Sequence, residues 1–352
     1  MDNVTYSPRM LLKVVQQRLL LSDPFVLFDI GCGEGIAQVW RFFGDDLRVH
    51  AFDPQVEECA KLTAREKNRN VNYHAAFVGL PPSDAFHEGR AATERHGGSY
   101  FDPGAQFRRS STEAANARKR AQTVAGPTVS VASTESTERW SESALSTRTL
   151  AIDEFAEEHH ITSIDFVKID TDGRDLEVAA SCRDVIRRAN ILGFMVECFF
   201  TGSPDATENS FHNVDAFMRG NGFVLYALTA NRYSRAALPS PFKYRALYQT
   251  VSGQPMWGDM IYLRDGASQD YRTVWDDDLS PTKLLKLACL YELFQLPDCA
   301  AELVIAHRDR LRPLIDPTHL LDLLTPRLGG VDRSYADYLQ LFETNVEAFF
   351  PS

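Results

Sequence analysis

The sequence predicts an α/β fold with a doubly wound, mostly parallel sheet of about seven strands. Short apolar runs alternate with helix-length segments between residues 23 and 265. Two of these runs, residues 25–30 and 191–196, are apolar almost throughout, which is typical of parallel strands covered on both faces. A glycine-rich loop at residues 31–35 directly follows the first run, where a strand must turn sharply into the next segment.

The individual strands and helices follow from the apolar pattern in chain order. Strands are predicted at residues 25–30, 47–52, 71–78, 164–169, 191–196, 222–228 and 259–263. Helices are predicted between them at residues 36–43, 54–67, 153–159, 176–188 and 213–219. Because the parallel strands all run the same way, their carboxyl ends meet at one edge of the sheet, where ligands bind in such folds.

Other segments flank or interrupt this pattern. Residues 1–22 are predicted to hold an N-terminal helix, residues 23–265 the α/β domain, and residues 266–352 a helical C-terminal extension. In the extension, Ser280-Pro281 combines an N-cap residue with a first-turn proline. Residues 81–146 are rich in Ser, Thr, Arg, Gly and Ala, and this polar insertion is a candidate lid, binding loop or disordered segment.

Composition and charge exclude several classes of protein. The 352 residues are 44% hydrophobic and 24% charged, with a net charge of −11, which is globular and acidic. This charge argues against a nucleic-acid partner, which needs a basic surface, and against anionic membranes. No run approaches the ~18 apolar residues of a membrane span, so we expect no membrane insertion. The six cysteines contain no C-x-x-C pair, which favours reduced thiols and a cytoplasmic location.

The glycine loop is predicted to bind a cofactor. Residues 29–35 read Asp-Ile-Gly-Cys-Gly-Glu-Gly, and such glycines let the backbone approach a ligand closely. The helix predicted after them would offer free N–H groups. A dinucleotide fingerprint would require a third glycine at the position of Ile36. Asp29 and Glu34 would repel a pyrophosphate, but they suit S-adenosylmethionine, which carries a sulfonium and an ammonium group.

A carboxylate at the end of the second strand strengthens this prediction. Asp53 occupies the position at which an acidic residue binds ribose hydroxyls in dinucleotide folds. A tight turn and a helix cap would also explain the glycines and Asp53, but the order of strand, loop, helix, strand and acid favours a cofactor site. The predicted cofactor-binding residues are Asp29, Ile30, Gly31, Gly33, Gly35, Asp53, Pro54 and Ala76.

Later segments carry a family resemblance. Residues 149–155 read TLAIDEF, residues 164–173 read IDFVKIDTDG, and residues 175–178 read DLEV. Over residues 25–265 the chain resembles the FkbM-type methyltransferases, with Asp172 where many members have Glu. The resemblance implies a Rossmann-like class I methyltransferase fold. It also implies O-methylation from S-adenosylmethionine, commonly of a hydroxyl on a sugar or natural-product scaffold.

Methyl transfer to an alcohol is an in-line displacement, in which a histidine or a carboxylate must accept the hydroxyl proton. The candidate catalytic residues are three carboxylates at strand ends and one loop histidine: Asp170, Asp172, Glu197 and His212. The alternatives are that Asp170 caps a helix, that Asp172 only forms a turn, and that His212 is a surface or helix-start residue. A magnesium or calcium site among the carboxylates is a further alternative, which we do not favour. Lys168 lies inside a buried strand, where an ammonium group needs a carboxylate partner, so we expect it to form a structural ion pair.

The acceptor is expected to be a small molecule or a glycan. An Arg-rich part of the insertion, residues 108–120, could meet an anionic acceptor, although a solvated charged stretch is the favoured interpretation. The helical extension could provide contacts with other proteins. Two other functions stay open: a cofactor-binding interaction protein without catalysis, and a nucleotide-linked dehydrogenase, which Ile36 disfavours.

Overall fold

The fold is taken from a computed structural model, which describes residues 7–87, 148–202, 205–234, 249–275 and 278–350. Within these ranges, nine strands form one sheet and two short strands pair separately. The sheet contains β1 (Phe25–Ile30), β2 (Leu47–Asp53), β3 (Val71–Ala75), β6 (Phe166–Ile169), β7 (Gly193–Phe199), β8 (Val224–Leu228), β9 (Asn231–Tyr233), β10 (Gln249–Thr250) and β11 (Gln254–Leu263). The separate pair is β4 (Phe77–Val78) and β5 (Thr149–Leu150).

The strand order confirms the predicted doubly wound, mostly parallel sheet. In the described part of the chain the sheet runs β3-β2-β1-β6-β7-β11, and β8 and β9 both pair with β11. The first five of these strands are parallel, whereas β11 is antiparallel to β7 and β8. From β1 the chain adds strands on one side of the sheet, β2 and then β3, and from β6 it adds strands on the other side, β7 and then β11. The crevice of the fold therefore lies at the carboxyl ends of β1 and β6. The short strands β9 and β10 extend the sheet beyond the predicted number.

Helices cover both faces of the sheet. One face packs against α3 (Ile152–Glu158), α4 (Asp175–Ala180), α5 (Val185–Arg188) and α6 (Phe211–Gly220). The other packs against α1 (Arg9–Gln16), α8 (Pro281–Leu293), α9 (Pro297–Ala306), α10 (Arg308–Leu311) and α11 (Pro317–Leu324). The remaining described α-helices are α2 (Val56–Arg65) beside β2 and β3, α7 (Gln269–Trp275) after β11, and α12 (Tyr335–Thr344) beside α11. All side chains of β1 are buried between these two layers.

The segment after the glycine loop differs from its prediction. It forms a 3-10 helix, Gln38–Asp46, rather than an α-helix at residues 36–43, and it kinks at Gly44, whose φ is 55°. Tertiary packing accounts for this shape, because the rings of Trp40 and Phe43 stack on Phe25 with centroid distances of 6.0 and 4.0 Å. The expected α-helical N-terminus is therefore absent from the described residues directly after the loop.

Two other predicted elements are divided in the structure. The strand predicted at residues 71–78 breaks at Ala76, whose N–H donates to the carbonyl of Asp53 at 3.0 Å, and the chain then leaves β3 for β4. The helix predicted at residues 176–188 is the separate pair α4 and α5. It breaks because the carboxylate of Asp153 caps α5, accepting the N–H of Val185 at 2.8 Å and that of Asp184 at 3.1 Å.

The pair β4 and β5 places the segments that flank the predicted insertion side by side. Phe77 lies opposite Thr149, and Val78 lies opposite Leu150. Residues 88–147 lie outside the described residues, and with them most of the predicted lid at 81–146 and the Arg-rich stretch at 108–120.

All six cysteines lie within the described ranges, where they are free thiols and five of them are buried. In the same ranges, no helix has the length and apolar character needed to cross a membrane.

A buried cluster of charges joins the C-terminal helices to the sheet. Lys283 and Lys286 of α8 donate to the carboxylate of Asp165, just before β6, at 2.7 and 3.0 Å. Lys286 also donates to Asp23 at 2.7 Å, and Asp165 accepts the N–H of Val26 in β1 at 2.8 Å. Asp165 and Lys286 are fully buried. The helices of the extension therefore share one core with the sheet.

Replacing Asp165 with Asn should strongly destabilise the protein. The substitution leaves two ammonium groups facing a neutral amide at the base of the sheet. Breaking a buried ion pair on one side typically costs about 3–5 kcal/mol, and we expect a loss of that order in urea unfolding. The control is Asp332→Asn, which removes an exposed carboxylate bound to Arg9 and Arg327 and should change the unfolding curve little. Equal curves for the two variants would contradict the role given to Asp165.

Candidate active site

Three segments meet at the carboxyl ends of β1, β6 and β7. The glycine loop (residues 31–35) follows β1, residues 170–175 follow β6, and β7 carries a further predicted carboxylate. The N–H of Asp170 donates to the carbonyl of Ile30 at 3.0 Å, which ties the first two segments together. A Cβ at Gly31 would lie 1.7 Å from the carbonyl oxygen of Asp170, so the two backbones are in direct contact. The structure thus brings the glycine loop and Asp170 together.

The glycine loop forms a tight turn with room above its backbone. Gly31 and Gly35 have φ values of 83° and 89°, a conformation that favours glycine. The N–H of Gly35 donates to the carbonyl of Cys32 at 2.6 Å, which closes the turn. A Cβ at Gly33 would lie 3.3 Å from Oδ2 of Asp53. The backbone of the glycine loop and the carboxylate of Asp53 therefore border one cradle, and a side chain at position 33 would begin to fill it.

Asp53 is buried at the end of β2, with 6% of its surface exposed. Its Oδ1 accepts the N–H of Gln55 at 2.8 Å, while Oδ2 lies toward Gly33. Burial raises the pKa of Asp53. Pro54 follows it directly, and buried Ala76 donates its N–H to the carbonyl of Asp53. A carboxylate fixed in this way toward the loop fits the ribose-binding position predicted from the sequence.

Asp29 lies beneath the loop rather than on its surface. It is 2% exposed, and Nζ of Lys168 is 3.3 Å from its Oδ1. Burial raises the pKa of Asp29 to about 6, although the ammonium of Lys168 lowers it. The sequence suggested that the charges of Asp29 and Glu34 both suit a cationic ligand. That expectation is corrected for Asp29, because Lys168 compensates its charge, whereas Glu34 is exposed.

The Asp-Thr-Asp-Gly segment after β6 is a turn held by an acid that the sequence analysis did not single out. Asp172 and Gly173 have φ values of 53° and 104°. The fully buried carboxylate of Asp175 accepts the N–H of Thr171 at 2.9 Å and that of Gly173 at 3.1 Å. Burial raises the pKa of Asp175 to about 6. Asp172 therefore occupies the exposed tip of a braced turn.

Asn209 is a second residue that the sequence analysis missed. Its Nδ2 donates to Asp175 at 2.9 Å and to the carbonyl of Glu197 at 3.1 Å, and its Oδ1 accepts the N–H of Leu176 at 3.1 Å. Asn209 thus connects β7 to the turn after β6. The position of Asp175 at a helix start after Asp-Thr-Asp-Gly was a usable signal for that acid, but nothing in the local sequence points to Asn209.

Glu197 lies within β7, opposite Asp259 of β11, rather than after the strand as predicted. Because Ile169 pairs with Val196, the next residues, Asp170 after the end of β6 and Glu197 within β7, lie at neighbouring positions. The pKa of Glu197 is raised to about 8, first by burial and then by four nearby carboxylates, Asp175, Asp170, Asp259 and Asp172. A half-buried carboxyl group with this pKa is a stronger base than an ordinary glutamate.

His212 lies on the first turn of α6 and is exposed. Its Nδ1 is 3.1 Å from Oγ of Ser210, the residue before the helix. The role of His212 as a general base stays a prediction, and the environment of Glu197 offers the stronger case.

The match to a family of known proteins decides the class of the enzyme. Residues 33–225, more than half of the chain, match the family model of the methyltransferase FkbM domain. The chain belongs to the FkbM methyltransferase family. It is therefore a methyltransferase, and the dehydrogenase interpretation is set aside.

Other comparisons add little to this assignment. A search among curated proteins finds no match for this FkbM methyltransferase. Among solved structures, it is similar to a precorrin-6y C5,15-methyltransferase from Geobacter metallireducens GS-15, at 11% sequence identity over 72% of this chain and 88% of that chain. The TM-score is 0.30, and this likeness supports no inference about the acceptor.

The described residues of this FkbM methyltransferase place a glycine-lined cradle next to several carboxylates. The cradle consists of the glycine loop and Asp53, and Asp170 after β6 and Glu197 within β7 lie beside it. In the same part of the chain, no three His, Cys, Asp or Glu side chains form a metal-binding cluster. The arrangement can hold a nucleoside on one side of the crevice and accept a proton on the other.

Proposed function

We propose that this methyltransferase transfers a methyl group from S-adenosylmethionine to a hydroxyl of a sugar, glycan or natural-product-like acceptor. The observation that carries the proposal is the placement of Glu197, with its pKa raised to about 8, in β7 beside Asp170, whose backbone packs on the glycine loop. An alcohol needs such a base because its own proton is not lost at neutral pH.

The residues of the cradle fit the cofactor. The space at Gly33, which a Cβ would fill, borders the buried carboxylate of Asp53, which would accept hydrogen bonds from the ribose. Gly31 and Gly35 bring the backbone close to the cofactor, and exposed Glu34 adds negative charge beside a cationic ligand. The bound cofactor would supply an electrophilic methyl group on its sulfonium.

The acceptor side combines carboxylates with aromatic surfaces. Glu197 lies opposite Asp259, and two residues further along each strand Phe199 lies opposite Trp257, so all four side chains share one face of the sheet. A Cβ at Gly173 would lie 3.2 Å from the ring of Phe199, which places this ring against the turn after β6. Half-buried rings with a few polar groups suit a ring-shaped, hydroxylated acceptor.

Calorimetric titration with S-adenosylmethionine and with NAD, followed by transfer of a labelled methyl group to sugar and natural-product fractions, tests the proposal. We expect binding of S-adenosylmethionine and label in a hydroxylated product. Binding of NAD alone would overturn the cofactor assignment. Cofactor binding without transfer to any fraction would favour an interaction protein.

The free cysteines also support our proposal of a cytoplasmic location.

A further inference from the structure

Lys168 makes contacts that a merely structural ion pair does not need. It lies in β6 opposite Asp29 of β1, and its side chain is 15% exposed. Its Nζ donates to the carbonyl of Gly31 at 2.8 Å. The same Nζ is 3.3 Å from Oδ1 of Asp29 and 3.3 Å from Oδ2 of Asp170. One ammonium group therefore contacts the strand end, the cofactor loop and the turn after β6.

The contact with Gly31 determines how the glycine loop presents its backbone. A peptide carbonyl held by an ammonium cannot rotate without losing a charge-assisted hydrogen bond, which is worth roughly twice a neutral one. The contact with Asp170 acts on the other side of the crevice, because Asp170 is 42% exposed there and neighbours Glu197. Lys168 thus joins the surface facing the cofactor to the surface facing the acceptor.

We propose that Lys168 is a positioning residue that fixes the carbonyl of Gly31 and the carboxylate of Asp170 relative to each other, so that cofactor and acceptor are held in line. This inference rests on the proposed function. Lys168 acts through its neighbours and does not itself take part in the transfer.

The charge on Asp29 provides a readout of the Lys168 ammonium that is separate from the stability of the fold. Burial already raises the pKa of Asp29 to about 6 with the ammonium of Lys168 in place, and that ammonium lowers it. Removing the ammonium should raise the pKa further, so that Asp29 takes up a proton near neutral pH. An acid whose pKa rises changes its charge at a higher pH, so a step in cofactor binding that follows the protonation of Asp29 should move to higher pH.

The matched control is another buried lysine at the opposite end of the sheet. Lys283 is bound to Asp165, at the amino end of β6, far along the strand from the glycine loop. Lys283→Met removes a buried ammonium without touching the crevice, and Lys286 still binds Asp165. This variant reports the effect of lost stability alone.

The experiment is calorimetric titration of the full chain with S-adenosylmethionine from pH 5 to pH 9, for the wild type, Lys168→Met, Lys168→Arg and Lys283→Met. For Lys168→Met we expect Kd at pH 7 to rise about tenfold and the midpoint of its pH dependence to move upward by about one pH unit or more. Lys168→Arg keeps the charge but not the fit to the Gly31 carbonyl, so it should keep the wild-type midpoint with a Kd raised several-fold.

The outcomes separate this inference from the proposed function. A wild type that binds no S-adenosylmethionine at any pH overturns both. If the wild type binds S-adenosylmethionine and Lys168→Met binds it with the same Kd and the same pH midpoint, only the role of Lys168 is overturned. If Lys168→Met does not fold, Lys168→Arg decides, and a wild-type Kd in that variant overturns the inference. Lys283→Met with the same pH shift as Lys168→Met also overturns it.

Discussion

Glu197→Gln is expected to lose about 10²–10⁴-fold in kcat while its affinity for S-adenosylhomocysteine stays that of the wild type. Gln has the shape of Glu but cannot accept the proton of the attacking hydroxyl. Glu197 is the strongest candidate base because burial and neighbouring carboxylates raise its pKa to about 8. The measurement is turnover of a labelled methyl group with an identified acceptor, beside a binding titration with the demethylated cofactor.

The pH dependence of the wild type gives a second measurement on the same residue. The base acts when it is ionised, so the rate should rise with pH, with a midpoint near 8, and then level off. Asp259→Asn is the matched variant, because Asp259 lies opposite Glu197 and its charge raises the pKa of Glu197. Removing that charge should move the midpoint to lower pH. A profile without a transition near pH 8 would contradict the assignment of Glu197.

Glu197→Gln should lose activity without losing stability at pH 8. The pKa of Glu197 is raised in the folded protein, from an ordinary value of 4.5 to about 8, so the folded state favours the protonated form. The stability that this preference contributes is present at low pH and is lost as pH rises from the lower value through the upper one. A neutral amide removes that loss. Glu197→Gln should therefore melt no lower than the wild type at pH 8, and a lower melting temperature would contradict this stability argument.

Gly31→Ala is expected to weaken both the fold and cofactor binding. Its Cβ would lie 1.7 Å from the carbonyl oxygen of Asp170, and its φ of 83° is unfavourable for alanine. The left-handed conformation and the overpacking together cost about 2–5 kcal/mol. The obstacle is backbone, which cannot swing aside as a side chain can, so the glycine loop and the turn after β6 must separate. Urea unfolding and titration with S-adenosylmethionine measure the two effects.

Gly220→Ala is the control for this substitution. Gly220 ends α6, and among the described residues no atom lies within 4 Å of a Cβ built there. Alanine is favoured over glycine in helices by about 1 kcal/mol, so this variant should be as stable as the wild type or slightly more so. Wild-type stability and cofactor affinity in Gly31→Ala would show that the two loops do not pack as the structure describes.

Much of the sheet could be predicted because its strands are apolar runs with clear ends. β1 and β2 begin and end within a residue of their predicted bounds, and β1, which is buried on both faces, shows no competing pattern. The helix after the glycine loop could not be predicted, because the stacking of Trp40 and Phe43 on Phe25 and the kink at Gly44 decide its shape. Local helix propensity has no information about such contacts.

The sequence by itself determined the order of strand, glycine loop, strand and acid, and its later segments at residues 149–178 carried the family resemblance. These features lie within short segments, where residue type sets backbone conformation. Only the tertiary structure decided the chemistry of the crevice. It showed that Lys168 compensates Asp29, that Asn209 braces the turn after β6, and that four carboxylates surround Glu197. Burial and charge at one point arise from segments far apart in the chain, and the fold alone brings them together.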